Sequence, residues 1–243
     1  MESPVRAARS GPRWRRRKES RPGEILAAAL DAFVERGYES ARLEDIARSA
    51  GCTKGTIFLY YESKEELFKA VVREAMQPLL RESEQLIESN TGSCRDLMRK
   101  LLRLRWERTT ASRLSGLAKL MFAETEKYPE LARFYYEEIH VPSQAGLRRV
   151  LEMGVSRGEF RPMDSAAVAR MAIAPIVFAG IWKHSFAPVV PAQADSDDYF
   201  ESTLGVLFGG ISASPAGVSA ARSRPSMLRW RRSQRSCSPP WPV

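Results

Sequence analysis

Apolar residues recur every three or four positions along most of this chain, the period of a helix buried on one side. Ile25, Leu26, Ala29, Leu30 and Phe33 form one such face. Ser20-Arg21-Pro22 opens that helix, with proline early where it is tolerated, and Gly37 stops it. Leu43, Ile46, Ala47 and Ala50 form a second, shorter face, closed by Gly51 where a left-handed residue is often needed. Thr53 can cap a third helix, and Ile57 can drop into the angle between the second and the third. Ser63 followed by Glu66 is a capping box for a fourth helix, from about Lys64 to Ser89. Leu67, Phe68, Val71, Val72, Ala75 and Leu79 lie on its buried side, and Pro78 should kink it.

Thr91-Gly92 breaks the chain, and further helical stretches follow at about 94–110, 113–126, 130–156, 164–185 and 196–210. The breakers between them are Tyr128-Pro129, Gly158 through Pro162, and Pro188 through Pro191. No alternating run is long enough for a strand, and no internal repeat occurs. The expected fold is all-α: a small three-helix unit over 20–66, then a larger helical domain over 67–211. Residues 1–19 and 212–243 have little periodicity and read as a disordered arm and a disordered tail.

Charge sharpens this division. The net charge of +9 is carried by the ends: residues 1–18 and 212–243 contribute +6 each, leaving residues 19–211 at −3. A slightly acidic body does not coat nucleic acid over its whole surface, so any such binding needs a local basic element. Cys52, Cys94 and Cys237 are far apart, which suits reduced thiols in a cytosolic protein rather than a disulfide framework or a zinc site. The Arg-rich N-terminus lacks the apolar segment of a signal peptide. The longest uncharged apolar run, Met171–Trp182, is too short to span a bilayer.

The segment LEDIARSAGCTKGTIFLYYESKEEL, residues 43–67, carries the most specific chemistry. Small Ala47, then Gly51, then Ile57 supplies what a helix-turn-helix needs: close approach, a sharp turn and one apolar wedge. The outer side of the third helix then offers Lys54, Thr56, Leu59 and Tyr60. With Ala28-Ala29-Leu30-Asp31-Ala32-Phe33, Gly37-Tyr38, Asp45-Ile46-Ala47, Thr53-Lys54-Gly55-Thr56-Ile57 and Ser63-Lys64-Glu65-Glu66-Leu67, the chain resembles a TetR/AcrR-type transcriptional regulator over roughly residues 21–70. The resemblance implies a divergent helical ligand-binding and dimerisation domain beyond that point.

A recognition helix places its N-terminal residues in the major groove, and Thr53, Lys54, Gly55 and Thr56 hold those positions. Gly55 permits close backbone approach, while Lys54 and Thr56 can reach base edges or phosphates. Tyr60 and Lys64 read as phosphate contacts, Lys64 at a helix N-terminus. Phe58 stands where the family commonly has tyrosine, and Leu59 where it often has an aromatic or histidine; the Phe58 ring can still pack on the DNA backbone or a thymine methyl. Arg42 is a poor helix cap but can reach a phosphate. The Arg15-Arg16-Arg17-Lys18 run is either a minor-groove arm or a solubilising tail, and the C-terminal arginines read as a dispensable tail.

Helical bundles often bind apolar ligands between their helices. Trp106, Met121, Phe122, Met171 and Phe178 are the candidate lining residues for a small hydrophobic effector; any single one of them more often fills the core, and it is the resemblance that implies a pocket among them. The helix at 164–185 is rich in alanine, and the next offers Phe200, Leu204, Val206, Leu207 and Phe208. This pair reads as a homodimer interface, with an intrachain core as the alternative.

Catalysis finds no support. The chain has two histidines, His140 and His184, with no second ligand at metalloprotease spacing, no glycine-rich phosphate loop and no nucleophile elbow. No metal or cofactor is expected. The expected function is a ligand-responsive repressor that binds a pseudo-palindromic operator as a dimer. The competing reading is a sequence-neutral DNA-coating protein that uses its basic tails.

Overall fold

The computed structural model describes residues 13–110, 116–186, 189–190 and 197–213, with side chains from Arg21 onward. Among these residues the chain is all-α. Its helices are α1 (Arg13–Ser40), α2 (Leu43–Ser49), α3 (Lys54–Phe58), α4 (Lys64–Glu88), α5 (Cys94–Thr110), α6 (Leu117–Glu124), α7 (Pro129–Tyr135), α8 (Val141–Ser156), α9 (Ser165–Ser185) and α10 (Asp197–Ile211). A π-helical turn, Tyr136–His140, joins α7 to α8. The one bridge outside helices pairs Phe160 with Ser212.

Two boundaries differ from expectation. α1 begins at Arg13 instead of after residue 19, so the second half of the expected basic arm is helical backbone and Pro22 lies inside the helix. Its regular geometry still ends at Gly37, whose φ of 81° and ψ of 166° turn the chain toward α2. The stretch expected as one helix over 130–156 is three pieces, and Pro142 accounts for the join. Proline has no N–H and its ring crowds the carbonyl four residues back. The preceding turn widens instead, and the Val141 N–H reaches the Tyr136 carbonyl. α4, by contrast, runs unbroken through Pro78. Residues 1–12 and 214–243, with most of the expected arm and tail, lie outside the described residues.

Two apolar clusters hold the molecule together. The first joins Ile25, Ala29 and Phe33 of α1 to Ile46 of α2, Ile57 of α3, and Leu67, Phe68 and Val71 of α4. Phe68 meets Phe33 and Tyr38 edge to face, with centroids 5.2 and 5.1 Å apart, and the Phe33 and Tyr38 rings lie tilted at 5.8 Å. Each fully buried phenylalanine or isoleucine here contributes about 1.5–3 kcal/mol. The same cluster continues into Leu117, Leu120 and Met121 of α6 and Leu131 and Phe134 of α7. A boundary at residue 66 therefore cuts through a shared core, not between separate ones. The second cluster packs α5, α8, α9 and α10 around Leu97, Leu101, Leu151, Ile176 and Phe200.

Candidate functional site

The reading head is α2, a tight turn and α3. Ile46 and Ala47 bury the inner face of α2, and Gly51, at φ 63°, supplies the left-handed turn. Arg21 of α1 donates to the carbonyls of Ala50 and Gly51, at 3.3 and 3.2 Å, and so satisfies the end of α2. Sequence reasoning missed this residue because the bond is made across the fold. Thr53 caps α3: its hydroxyl accepts from the Thr56 N–H at 3.2 Å and lies 2.9 Å from the Thr56 hydroxyl. Ile57 is fully buried beneath. Ser63 caps α4 by accepting the Glu66 N–H at 3.1 Å, but the Glu66 carboxylate lies on Lys69, also at 3.1 Å, so the reciprocal half of the expected capping box is replaced by an ion pair.

The outer face is the one the spacing predicted. Thr53, Lys54 and Gly55 are exposed together at the start of α3, and Thr56 lies half-buried beside them. A Cβ on Gly55 would meet nothing closer than 3.7 Å, so glycine is not forced there by the fold; it leaves the backbone open to whatever docks. Phe58, Leu59 and Tyr60 are exposed just beyond, an apolar rim on an otherwise polar face. Lys54 pairs with Glu44 of α2 at 2.8 Å and holds that carboxylate below its usual range. Arg42 precedes α2 with no side-chain cap, as expected, and is exposed. Lys64 departs from expectation. Its ammonium turns inward, donating to the Glu39 carbonyl at 2.9 Å and sitting 4.8 Å over the Tyr38 ring. Burial pushes its pKa down, against the pull of Glu124 and Glu39.

Residues 25–71 match the family model for bacterial regulatory proteins of the tetR family, and residues 88–197 match the tetracyclin repressor-like C-terminal domain. The chain belongs to the TetR family of transcriptional regulators. It is 25% identical over 198 residues to the HTH-type transcriptional repressor KstR2 of Mycolicibacterium smegmatis, covering 80% of this chain and 92% of that one. It is 26% identical over 210 residues to the HTH-type transcriptional activator FasR of the same organism, covering 82% and 86%. Among solved structures, the ketosteroid transcriptional regulator KstR2 of Mycobacterium tuberculosis superposes with a TM-score of 0.63 at 25% identity, covering 80% of this chain and 96% of that one.

The helical bundle of this TetR-family chain contains a cavity of about 100 Å³, walled by every helix from α4 to α9 and by the π-helical turn. Leu79, Leu117, Ile139 and Ile176 give it an apolar lining, with Arg105 and Tyr135 among the polar members. None of the five expected lining residues belongs to it. Trp106 is buried against Tyr199 and Phe200 in the second cluster. Met121 is buried in the first. Phe122, Met171 and Phe178 face outward. Aromatic and methionine content marked surplus apolar surface, but it did not mark which surface faces inward. A better signal was present: Arg105 continues the Leu97, Leu101 stripe at four-residue spacing, a cation where the buried face of α5 calls for a hydrocarbon.

Besides the shared apolar cluster, a polar contact links the end of α1 to α6. Glu124, the last residue of α6, is buried, and its carboxylate accepts the Tyr38 N–H at 2.9 Å. Tyr38 follows Gly37 at the end of regular α1, and burial pushes its phenol up to about 12. Among the described residues, no group of three or more His, Cys, Asp or Glu side chains could hold a metal ion.

Proposed function

We propose that this regulator binds a pseudo-palindromic operator as a homodimer, represses transcription there, and is released by a small hydrophobic effector held in the helical bundle. The observation that carries the reading is the exposed N-terminal face of α3, where Thr53, Lys54 and Gly55 stand clear with Thr56 half-buried beside them, on a capped and packed scaffold. In a two-fold dimer two such faces meet successive major grooves roughly 34–36 Å apart or a multiple of that. Lys54 exchanges Glu44 for phosphate or a base edge, and the rim of Phe58, Leu59 and Tyr60 packs on sugar and thymine methyl. KstR2 and FasR are named as a repressor and an activator, so resemblance leaves the sign of regulation open; repression follows if the operator overlaps a promoter.

The dimer reading draws on α9 and α10. Met171 and Phe178 on α9 and Val206 on α10 are large apolar side chains left exposed, and between the two helices runs a cleft lined by Val168, Pro175 and Leu207. By length and composition α9 could also cross a bilayer. A second copy accounts for the exposed surface better, because the apolar surface continues from α9 onto α10, which a single spanning helix does not require. Effector release needs a ligand that binds two conformations with different affinity. Glu124 against Tyr38 supplies a mechanical link, and Pro78 within α4 is a candidate joint.

Selection of bound fragments from a random-sequence DNA library, with purified protein at physiological salt, tests the reading. One enriched inverted repeat is expected. Unenriched sequence, with retention that vanishes as salt rises, would sink it in favour of coating by the basic tails. With the repeat in hand, Thr56→Ala should relax the preference at its contacted position; Lys64→Ala, which removes the bond to the Glu39 carbonyl and not a free surface cation, should weaken all sequences about equally by loosening the head.

A further inference from the structure

Arg105 sits on α5 with 6% of its surface exposed, at the wall of the cavity. Its Nη2 donates to the Ser143 carbonyl at 3.5 Å, the outer limit of a hydrogen bond, and its Nε is buried with no partner. Burial pushes the guanidinium down to about 10, still far above neutral, so it is charged at pH 7. No aspartate or glutamate lines this cavity. Two acids of α4 are engaged with other arginines: Glu82 is held by Arg108 at 3.0 Å, and Glu84, in the adjoining cavity that shares Arg105 and Ser143 as wall, by Arg149 at 2.6 Å. A buried cation without an anion destabilises a fold and is tolerated where something else supplies the charge.

Two neighbours point the same way. The Tyr135 phenol lines the cavity, and burial pushes its pKa up, so it keeps its proton and can donate. The Gln144 side chain also lines it, with its buried Oε1 unpartnered; with its amide turned over, Gln144 donates as well. Widening of the chain at the π-helical turn brings Ile139 and His140 to the same wall. The rest of the wall is Arg108 and Thr109 of α5, Ser143 of α8, and hydrocarbon from α4, α6 and α9.

We propose that this cavity takes an amphipathic carboxylate, its acid group received by Arg105 with Tyr135 and Gln144 beside it, and its apolar body laid against Leu79, Leu117 and Ile176. The proposal rests on the reading of the bundle as an effector domain and names the effector's chemical class. A bidentate carboxylate satisfies the guanidinium fork and neutralises its charge in one step. An alcohol of the same length gains the same apolar burial without that pairing.

The test is calorimetric titration of the full-length protein with hexanoate, octanoate and decanoate, each against the alcohol of equal length. The acids should bind at least about tenfold more tightly than the alcohols, the advantage expected of a hydrogen bond to a charged group. Arg105→Gln should erase that difference while leaving alcohol binding in place. Without ligand, Arg105→Met should raise the melting temperature by roughly 2–4 °C, because an isolated buried charge is removed. The proposal is overturned if the acids do not bind at millimolar concentration, if the alcohols bind with equal affinity, or if the preference survives Arg105→Gln. A melting temperature that falls in Arg105→Met also overturns it, since the guanidinium would then stabilise the empty fold. The DNA selection is scored separately. A recovered inverted repeat without acid binding defeats only the carboxylate; acid binding without a repeat defeats the operator reading and leaves the cavity assignment standing.

Discussion

The reading head and the helical bundle are built from the same kind of amphipathic helix, yet they treat polar groups in opposite ways. In the head side chains hold most helix ends, though not the start of α2: Thr53 caps α3, Ser63 caps α4, Arg21 holds the carbonyls that end α2, and Lys64 holds the Glu39 carbonyl near the end of α1. In the bundle, Arg105 Nε, Glu124 Oε2, Gln144 Oε1 and Trp182 Nε1 are buried without partners, and every such atom among the described residues lies between α5 and α9. Buried polar groups are normally paired, so this concentration is informative. The head is complete before it meets DNA and binds by presenting a fixed surface. The bundle is incomplete, so whatever completes it changes its energy. That is the asymmetry a ligand-responsive switch requires.

The largest expected effect is in the head. Ile57 is fully buried in the angle between α2 and α3. Ile57→Ala should cost about 2–5 kcal/mol, the range for deleting a large aliphatic side chain from a packed core. Thermal or urea unfolding reads this directly, and operator binding should fall with it. A near-normal melting point would mean that the head is loosely packed, and the contrast with the bundle would collapse.

The next effect lies on the connection between the two. Glu124→Ala leaves the buried Tyr38 N–H without its acceptor, which costs about 1–3 kcal/mol. Gly37 and Tyr38 are where α1 turns toward the head, so the loss should also weaken the response of operator binding to effector. Operator affinity in the presence and absence of octanoate measures this. An unchanged response would place the communication elsewhere, with the shared apolar cluster of α1, α4 and α6 the next place to look.

The same contrast explains what could be read from the sequence. The head is specified by local rules: a cap at Thr53, a left-handed glycine at Gly51, a wedge at Ile57, each acting within a few residues. Those rules place side chains as well as helices, which is why the α3 face was legible residue by residue. Lys64 is the exception, because its partner, the Glu39 carbonyl, comes from another helix. In the bundle, periodicity located α4, α5, α9 and α10 to within a residue or two of their bounds. It could not say which aromatic faced a cavity, since a cavity is a property of several helices at once. Trp106 went to the core and Met171 to the surface for that reason. The start of α1 at Arg13 was missed because an Arg-rich stretch carries no apolar periodicity to announce a helix.

The smallest effects give the sharpest comparison, because they remove one polar group from each region. Thr53→Ala deletes the cap of α3 and should cost about 1 kcal/mol, measured on the free protein by its unfolding midpoint. Gln144→Met deletes a buried, unpartnered amide oxygen and keeps the volume of the side chain. With no hydrogen bond lost, its cost should be within about 0.5 kcal/mol of zero, and a slight gain is the expected sign because a desolvated polar atom has gone. If Gln144→Met costs as much as Thr53→Ala, the amide is already satisfied in the folded protein, and the bundle is as finished as the head. If Gln144→Met is neutral when empty and lowers the affinity for octanoate, the amide belongs to the ligand and not to the fold.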